Sequence, residues 1–145
     1  SYLWLMERSG WAGKSNQERI LGVRMTREGW EEALSQSSLT HPEDDPPCWE
    51  EEMRSAPVLI QWDPERSLRG EKLEHRSIQV GLRRQIVERF VEEWIVEIKD
   101  LTPLTRKIAS LRKSGQWEKA ARLLPPEKVY PLPDDLRKRL RAEGP

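Results

Sequence analysis

The residues most able to do chemistry in this sequence fall into three polar groups, and the central one is Gln61-Trp62-Asp63-Pro64-Glu65-Arg66. This segment brings an amide, two carboxylates and a guanidinium to the end of an apolar run. A carboxylate placed there could act as a general acid or base, or accept a hydrogen bond from a ribose hydroxyl. Glu65 is therefore a catalytic candidate and Gln61 a cofactor-binding candidate. The alternative is a strand exit in which Asp63 caps the turn and Glu65 pairs with Arg66.

A second group, His75-Arg76-Ser77-Ile78-Gln79, places three polar side chains at alternate positions. Alternate residues of a β-strand share one face, so His75, Ser77 and Gln79 would lie side by side. Histidine titrates near neutral pH and could bind a ligand or shuttle protons, which makes His75 the other catalytic candidate. Ser77 and Gln79 are binding candidates, because no Asp and His partner set marks Ser77 as a nucleophile. The alternative is that His75 is structural.

The third group is Arg8-Ser9-Gly10-Trp11-Ala12-Gly13-Lys14-Ser15. Backbone N–H groups beside glycines, together with Arg and Lys side chains, can hold a phosphate or another anion. Arg8, Ser9 and Lys14 are therefore cofactor-binding candidates. The alternative is an ordinary loop that ends a helix and carries a packed tryptophan.

The common local motifs are absent from the sequence. Its eight glycines are scattered, so they form neither a phosphate-binding P-loop nor a dinucleotide fingerprint. A zinc site needs clustered ligands, and one cysteine with two histidines cannot supply them. We therefore predict no metal site, and any chemistry must come from the three dispersed groups.

Charge composition gives little reason to expect binding to nucleic acid or to membranes, because 25 basic residues balance 25 acidic ones. The last third is nevertheless basic, with eleven Lys or Arg against five Asp or Glu over residues 101–145. The simplest interpretation is that these cations cover solvated helix faces. The alternative is a surface for nucleic acid or protein that uses Arg106, Lys107, Arg112, Lys113, Arg137, Lys138, Arg139 and Arg141.

Cysteine usage and hydropathy favour a cytoplasmic protein. Cys48 is the single cysteine, so no intrachain disulfide can form, as expected in a reducing compartment. No apolar run approaches the ~20 residues that a membrane span needs, and no signal peptide is visible. The sequence begins at Ser1 inside the apolar stretch Tyr2-Leu3-Trp4-Leu5-Met6 with no initiator Met, a pattern typical of a chain that has lost, or never had, an N-terminal element.

Apolar periodicity predicts the elements that must position these groups. Strands are expected at residues 20–25, 58–63 (ended by Pro64), 75–82 and 95–98, and residues 37–47 are expected to form a loop. Helices are expected at residues 1–9, after the N-cap Thr26, at 47–54, at 83–94, on either side of Ser114-Gly115, and after Asp134-Asp135.

This order of elements predicts an α+β protein with a small antiparallel or mixed sheet of about four strands. Helices pack on the sheet, and the C-terminal third is helical. The length of 145 residues predicts a single domain, with a mixed part over 1–100 and a basic helical part over 101–145. If strands 58–63 and 75–82 pair as a hairpin, the two central polar groups come together, although a one-residue slip would scatter them.

The sequence resembles domain of unknown function family 4291. Residues 3–36, from Leu-Trp-Leu-Met-Glu-Arg-Ser-Gly-Trp-Ala-Gly-Lys to Thr26-Arg27-Glu28-Gly29-Trp30, are similar to its central block. Residues 61–66 and 75–82 are similar to its next two blocks, and Glu93-Trp94-Ile95-Val96 and Asp100-Leu101-Thr102-Pro103-Leu104 follow. Members of the family begin with a further segment that bears a tyrosine-containing strand, and the resemblance implies that this segment is missing here.

The family is in turn similar to the ADP-ribosyltransferase superfamily. Those enzymes bind NAD with small split sheets and scattered polar residues, often including a carboxylate. This resemblance implies an enzyme that binds NAD or another nucleotide, and it makes Arg8, Ser9, Gln61, Glu65 and His75 the candidates for cofactor contact.

Overall fold

The computed structural model describes residues 1–42 and 46–142. Seven α-helices lie in this part of the chain: α1 Tyr2–Ser9, α2 Arg27–Ser35, α3 Trp49–Ser55, α4 Arg84–Arg89, α5 Thr102–Lys113, α6 Trp117–Leu123 and α7 Asp134–Leu140. The strands are β1 Leu21–Met25, β2 Ser37–Leu39, β3 Val58–Arg66, β4 Lys72–Leu82 and β5 Ile95–Asp100. The predicted α+β class is confirmed.

The strands form two small sheets, where one sheet of about four strands was expected. The first has the order β2-β3-β4 and the second pairs β1 with β5. Strand β2 runs parallel to β3, with Ser37 opposite Val58 and Leu39 opposite Ile60. The expected loop at 37–47 therefore contains a strand, and residues 43–45 of that loop lie outside the described chain.

Strands β3 and β4 form the predicted hairpin, but β3 continues past Pro64 to Arg66, so the prediction that this proline ends the strand was wrong. Proline cannot donate a hydrogen bond to a sheet and is confined to positions where one side of the strand is open. The register of β2 covers only residues 58–60 of β3, so β2 does not extend to Pro64. The turn of the hairpin closes with a hydrogen bond from the Ser67 N–H to the Glu71 carbonyl, at 2.9 Å.

The chain divides into two compact units, each made of three segments. Unit 1 contains Ser1–Val23, Asp63–Ser77 and Ile98–Lys128, and unit 2 contains Arg24–Trp62, Ile78–Glu97 and Val129–Pro145. Each unit has its own hydrophobic core.

The core of unit 1 joins the N-terminal helix to the two helices α5 and α6. Its buried apolar residues are Tyr2, Met6, Ile20, Ile108 and Ala120. Polar groups inside this core are paired: the Tyr2 hydroxyl and Thr105 Oγ1 lie 2.8 Å apart, and the Ile20 N–H donates to Thr102 Oγ1 at 2.9 Å. These bonds satisfy hydroxyls that would otherwise be costly to bury.

The core of unit 2 gathers the hairpin and three helices around a tryptophan. Its buried residues are Ala33, Leu34, Val58, Ile60, Ile86, Trp94, Leu136 and Leu140. Trp94 ends a single π-helical turn, Phe90–Trp94, which follows α4 directly where one continuous α-helix over 83–94 was expected. A Cβ on Gly29 would lie 2.3 Å from Trp94 Cγ, so only glycine allows α2 to approach this ring.

Candidate functional site

Glu65 and Ser77 are the two predicted site residues that the fold brings together, and both are buried. Glu65 lies near the end of β3 and Ser77 in the middle of β4, with 9% and 5% of their surfaces exposed. Both belong to unit 1. The paired strands of the hairpin therefore place a carboxylate and a hydroxyl together inside the protein.

The Glu65 carboxylate is held ionised by hydrogen-bond donors. Burial alone would raise the pKa of the Glu65 carboxyl, but hydrogen bonding from Ser1, from the Arg66 backbone N–H and from Ser77 lowers the pKa below its usual value. The Arg66 N–H donates to Glu65 Oε1 at 2.8 Å. The carboxylate is thus charged at neutral pH and positioned by its own strand.

The Ser77 hydroxyl is a buried polar group without a proper partner. It helps to lower the pKa of Glu65. The contact is weak, however, because Ser77 Oγ makes no hydrogen bond of normal geometry with any described residue. Leaving a buried hydroxyl unsatisfied costs about 1–3 kcal/mol. Such groups are rare in native proteins and call for an explanation, which a bound ligand would supply.

Neighbouring side chains fix the end of the hairpin against α1. Trp4 Nε1 donates to Asp63 Oδ2 at 3.1 Å. Arg66 Nη1 donates to the Gly70 carbonyl at 3.1 Å and lies 3.7 Å from Glu7 Oε1. The alternative in which the guanidinium of Arg66 pairs with Glu65 is not what the structure shows.

The other predicted site residues of the two central groups are more exposed than this pair. His75 is exposed on β4. Gln61 and Gln79 are half-buried and belong to unit 2. Of the predicted cluster, unit 1 therefore contains Asp63, Glu65, His75 and Ser77.

The group around Arg8, Ser9 and Lys14 forms a strained turn after α1. Gly10, Trp11 and Ala12 all have left-handed backbones, with φ of 58°, 55° and 61°. Consecutive left-handed residues are rare, because each L-residue costs about 1–2 kcal/mol in that conformation.

Buried Ser9 stabilises the turn by accepting hydrogen bonds. Its Oγ accepts from the Ala12 N–H at 3.2 Å, and its carbonyl accepts from the Gly13 and Lys14 N–H groups at 3.1 and 3.0 Å. Lys14 Nζ donates to the Arg8 carbonyl at 2.9 Å. Since these amides are occupied, an anion here would have to be held by the exposed side chains of Arg8 and Lys14.

The structure contains a stacked ladder of two tryptophans and two arginines that the sequence does not predict. The Arg112 guanidinium lies 4.4 Å from the centre of the Trp11 ring and 5.7 Å from that of Trp117, and Arg69 lies 4.3 Å from Trp117. Arg112 Nε also donates to the Leu68 carbonyl at 2.8 Å. Sequence separation hides this group, because Trp11 and Trp117 lie on opposite ends of the chain.

A shallow cleft of about 350 Å³ lies beside this ladder in unit 1. Its lining residues are Ser67, Leu68, Arg69, Glu71, Trp117, Glu118 and Ala121. Neither His75 nor the Glu65–Ser77 pair belongs to this lining. The cations around Trp117 instead tie the hairpin turn to α5 and α6.

The basic residues of the last third do not form one set. Arg106, Lys107, Arg112 and Lys113 belong to unit 1, and the four that follow Pro133 belong to unit 2. Arg112 is engaged in the ladder, and Arg139 Nη2 donates to the Ser37 carbonyl at 2.9 Å. Arg112 and Arg139 therefore serve the fold of their own units.

Two further features concern metal binding and membranes. Across residues 1–42 and 46–142, no three His, Cys, Asp or Glu side chains are grouped so that they could hold a metal ion. In the same part of the chain, every helix is too short or too polar to cross a membrane.

The protein is thus a small α+β protein in which a buried carboxylate and a buried hydroxyl lie on the two strands of a β-hairpin. The chain belongs to a domain of unknown function family, DUF4291, whose model matches residues 1–130. The chain matched no curated protein and no solved structure.

Proposed function

We propose that this chain is an enzyme domain that binds a nucleotide-like ligand, NAD being the first candidate, at the Glu65–Ser77 pair. The observation that carries the proposal is the buried Ser77 hydroxyl, which lacks a proper partner beside an ionised carboxylate. A ribose offers hydroxyls that both donate and accept. One such hydroxyl could donate to Glu65 while another satisfies Ser77.

The lowered pKa of Glu65 decides which kind of catalysis suits it. A general base or acid works best when its pKa lies near the working pH, and Glu65 is shifted in the opposite direction. A permanently charged, buried carboxylate instead stabilises positive charge that develops in a transition state. Cleavage of a glycosidic bond develops such a charge on the sugar ring.

The reaction class that fits is transfer of a ribosyl group from a nucleotide. The bond between ribose C1′ and the nicotinamide nitrogen breaks, and its electron pair leaves with nicotinamide. A nucleophilic acceptor forms the new bond to C1′ and releases its proton to solvent. Glu65 would hold the ribose and stabilise its positive charge.

Calorimetric titration of NAD and of ATP into the protein tests the proposal. NAD should bind the native protein, and Glu65→Gln should weaken binding by at least about tenfold, because a hydrogen bond to a charged group is lost. Ser77→Ala should weaken binding by a smaller factor. Release of nicotinamide would then be followed to separate a transferase from a simple binding protein.

The matched control is Glu74→Gln, since Glu74 is an exposed carboxylate on the same strand as Ser77. This variant should bind like the native protein, and thermal unfolding would verify that all three variants fold. Absence of heat from both NAD and ATP would remove the proposal. Equal binding by native protein and Glu65→Gln would place the ligand elsewhere.

The alternative function is binding of nucleic acid or protein by the basic residues of the last third. Cations that neutralise phosphates make affinity fall with salt, so RNA and DNA binding should be measured at two salt concentrations. The engagement of Arg112 and Arg139 within their own units reduces the charge available for this role.

A further inference from the structure

Strand β5 is unusually exposed for a strand that carries large apolar residues. Its residues from Val96 to Asp100 are all exposed, so both of its faces meet solvent. Val96 and Ile98 are 59% and 53% exposed. Leu21 and Val23 of the paired strand β1 are also exposed, at 50% and 43%.

The outer edge of β5 is open as well. The sheet has only the two strands β1 and β5 within the described chain, so β5 pairs on one side only. The Ile95 N–H of β5 donates to the Phe90 carbonyl, but from Val96 to Asp100 no described residue outside β1 forms a hydrogen bond with the strand's backbone. An open edge with apolar side chains is a template for pairing with another strand, and a two-stranded sheet is marginal by itself.

The charges of β5 point to a particular partner strand. Glu97 and Lys99 flank Ile98 and lie on the same face of the strand. Neither takes part in an ion pair within the described chain. In an antiparallel pair, residues at equal distances on either side of the centre lie opposite one another. A second copy of β5 centred on Ile98 would therefore set each Glu97 opposite the other copy's Lys99.

We propose that β5 pairs with β5 of a second copy of this chain, antiparallel and centred on Ile98, to form a dimer with a continuous four-stranded sheet. The two unlike charge pairs stabilise one face. On the other face the two Ile98 side chains lie opposite each other and remove apolar surface from water, and each Val96 lies opposite the other copy's Asp100.

The same charges oppose the neighbouring registers. Centring the pair on residue 97 would set two glutamates opposite one another, and centring it on residue 99 would do the same with two lysines. Like charges directly opposite in a sheet are destabilising. A register centred between residues 97 and 98, or between residues 98 and 99, would set a charged residue opposite Ile98. Among these registers, only the one centred on Ile98 sets unlike charges opposite one another.

Sedimentation equilibrium over a roughly hundredfold range of protein concentration tests the proposal, because dimerisation follows mass action. The native protein should show a dimer that dissociates on dilution. Glu97→Lys and Lys99→Glu should each raise the dissociation constant by at least about tenfold, since each replaces two attractive pairs with two repulsive ones. The double variant E97K/K99E should restore the native value.

Matched controls are Glu88→Lys and Lys107→Glu, exposed charge reversals on α4 and α5 that should leave the dissociation constant unchanged. Circular dichroism would verify folding of each variant. A native protein that stays monomeric throughout would overturn the proposal. A dimer that both single variants leave intact would also overturn it, and so would a double variant that behaves like the singles.

Discussion

The charge on Glu65 links the pH dependence of stability to the candidate site. Hydrogen-bond donors lower the pKa of this carboxyl in the folded protein, although burial opposes them. A lowered folded pKa means that the ionised group favours the folded state. This contribution is complete above the unfolded pKa of about 4.3, and it is lost as pH falls through the folded pKa.

We therefore expect Glu65→Gln to lower the free energy of unfolding at pH 7 and to do so less at about pH 3, below the unfolded pKa of about 4.3, because the contribution of the charge falls as the pH drops toward the folded pKa. Urea unfolding at both pH values measures the difference. Glu74→Gln provides the reference, because Glu74 is an exposed carboxylate on the neighbouring strand β4. An equal loss for Glu65→Gln at both pH values would show that shape, and not charge, is what the site requires.

Burial at single positions was the hardest property to predict. Alternation along β4 placed Ser77 on the same polar face as His75, yet Ser77 is buried and His75 is exposed. Glu65 belongs to a segment expected to be a charged turn, and its burial follows from β3 continuing past Pro64. Local sequence does not contain this information, because it depends on which strands lie alongside.

At the scale of elements, local signals predicted most of the helices. Thr26 caps α2 by accepting from the Gly29 N–H at 3.1 Å, as expected, and Gly10 ends α1, expected over residues 1–9, in a left-handed conformation. Strand β2 was missed because three residues are too few to show alternation. For the π-helical turn Phe90–Trp94 the sequence predicts α-helix, since its apolar stripe continues that of α4.

The arginine–tryptophan ladder joins elements that are distant in sequence. Arg112 on α5 stacks near Trp11 and Trp117 and donates to the Leu68 carbonyl in the hairpin turn. Lysine would keep the charge but lose both the flat stacking surface and the Nε donor. The ladder should therefore stabilise unit 1 in a way that charge alone cannot reproduce.

We expect Arg112→Lys to lower the free energy of unfolding by about 1–2 kcal/mol, from one lost hydrogen bond and weakened stacking. Urea unfolding followed by tryptophan fluorescence measures this. Arg106→Lys, an exposed position on the same helix, should change stability by less than about 0.5 kcal/mol. Two indistinguishable curves for Arg112→Lys and the native protein would mean that the ladder contributes nothing.

At the scale of the whole molecule, α7 lies outside the family match, which ends at residue 130, yet it completes a core. Leu136 and Leu140 are buried in unit 2, and the Leu140 carbonyl accepts from Trp62 Nε1 at 2.8 Å. Each buried leucine contributes about 2–5 kcal/mol. Their sum is comparable with the whole stability of a typical domain, about 5–15 kcal/mol.

Truncation after Tyr130 should therefore abolish the fixed packing of unit 2. The near-ultraviolet circular dichroism of its tryptophans should be lost, and the milder variant Leu140→Ala should lower the unfolding midpoint. Lys138→Ala, on an exposed position of α7, serves as the control. A truncated protein with native near-ultraviolet dichroism would contradict the role given to α7.

The threefold segmentation of each unit also bears on how such a protein can evolve. A domain that is continuous in sequence can be moved between genes as a block, because one cut on each side releases a folding piece. Here the chain passes from one unit to the other five times, and four of these passages lie inside strands β1, β3, β4 and β5. No single excision could remove one core and spare the other, so the two halves must be inherited together.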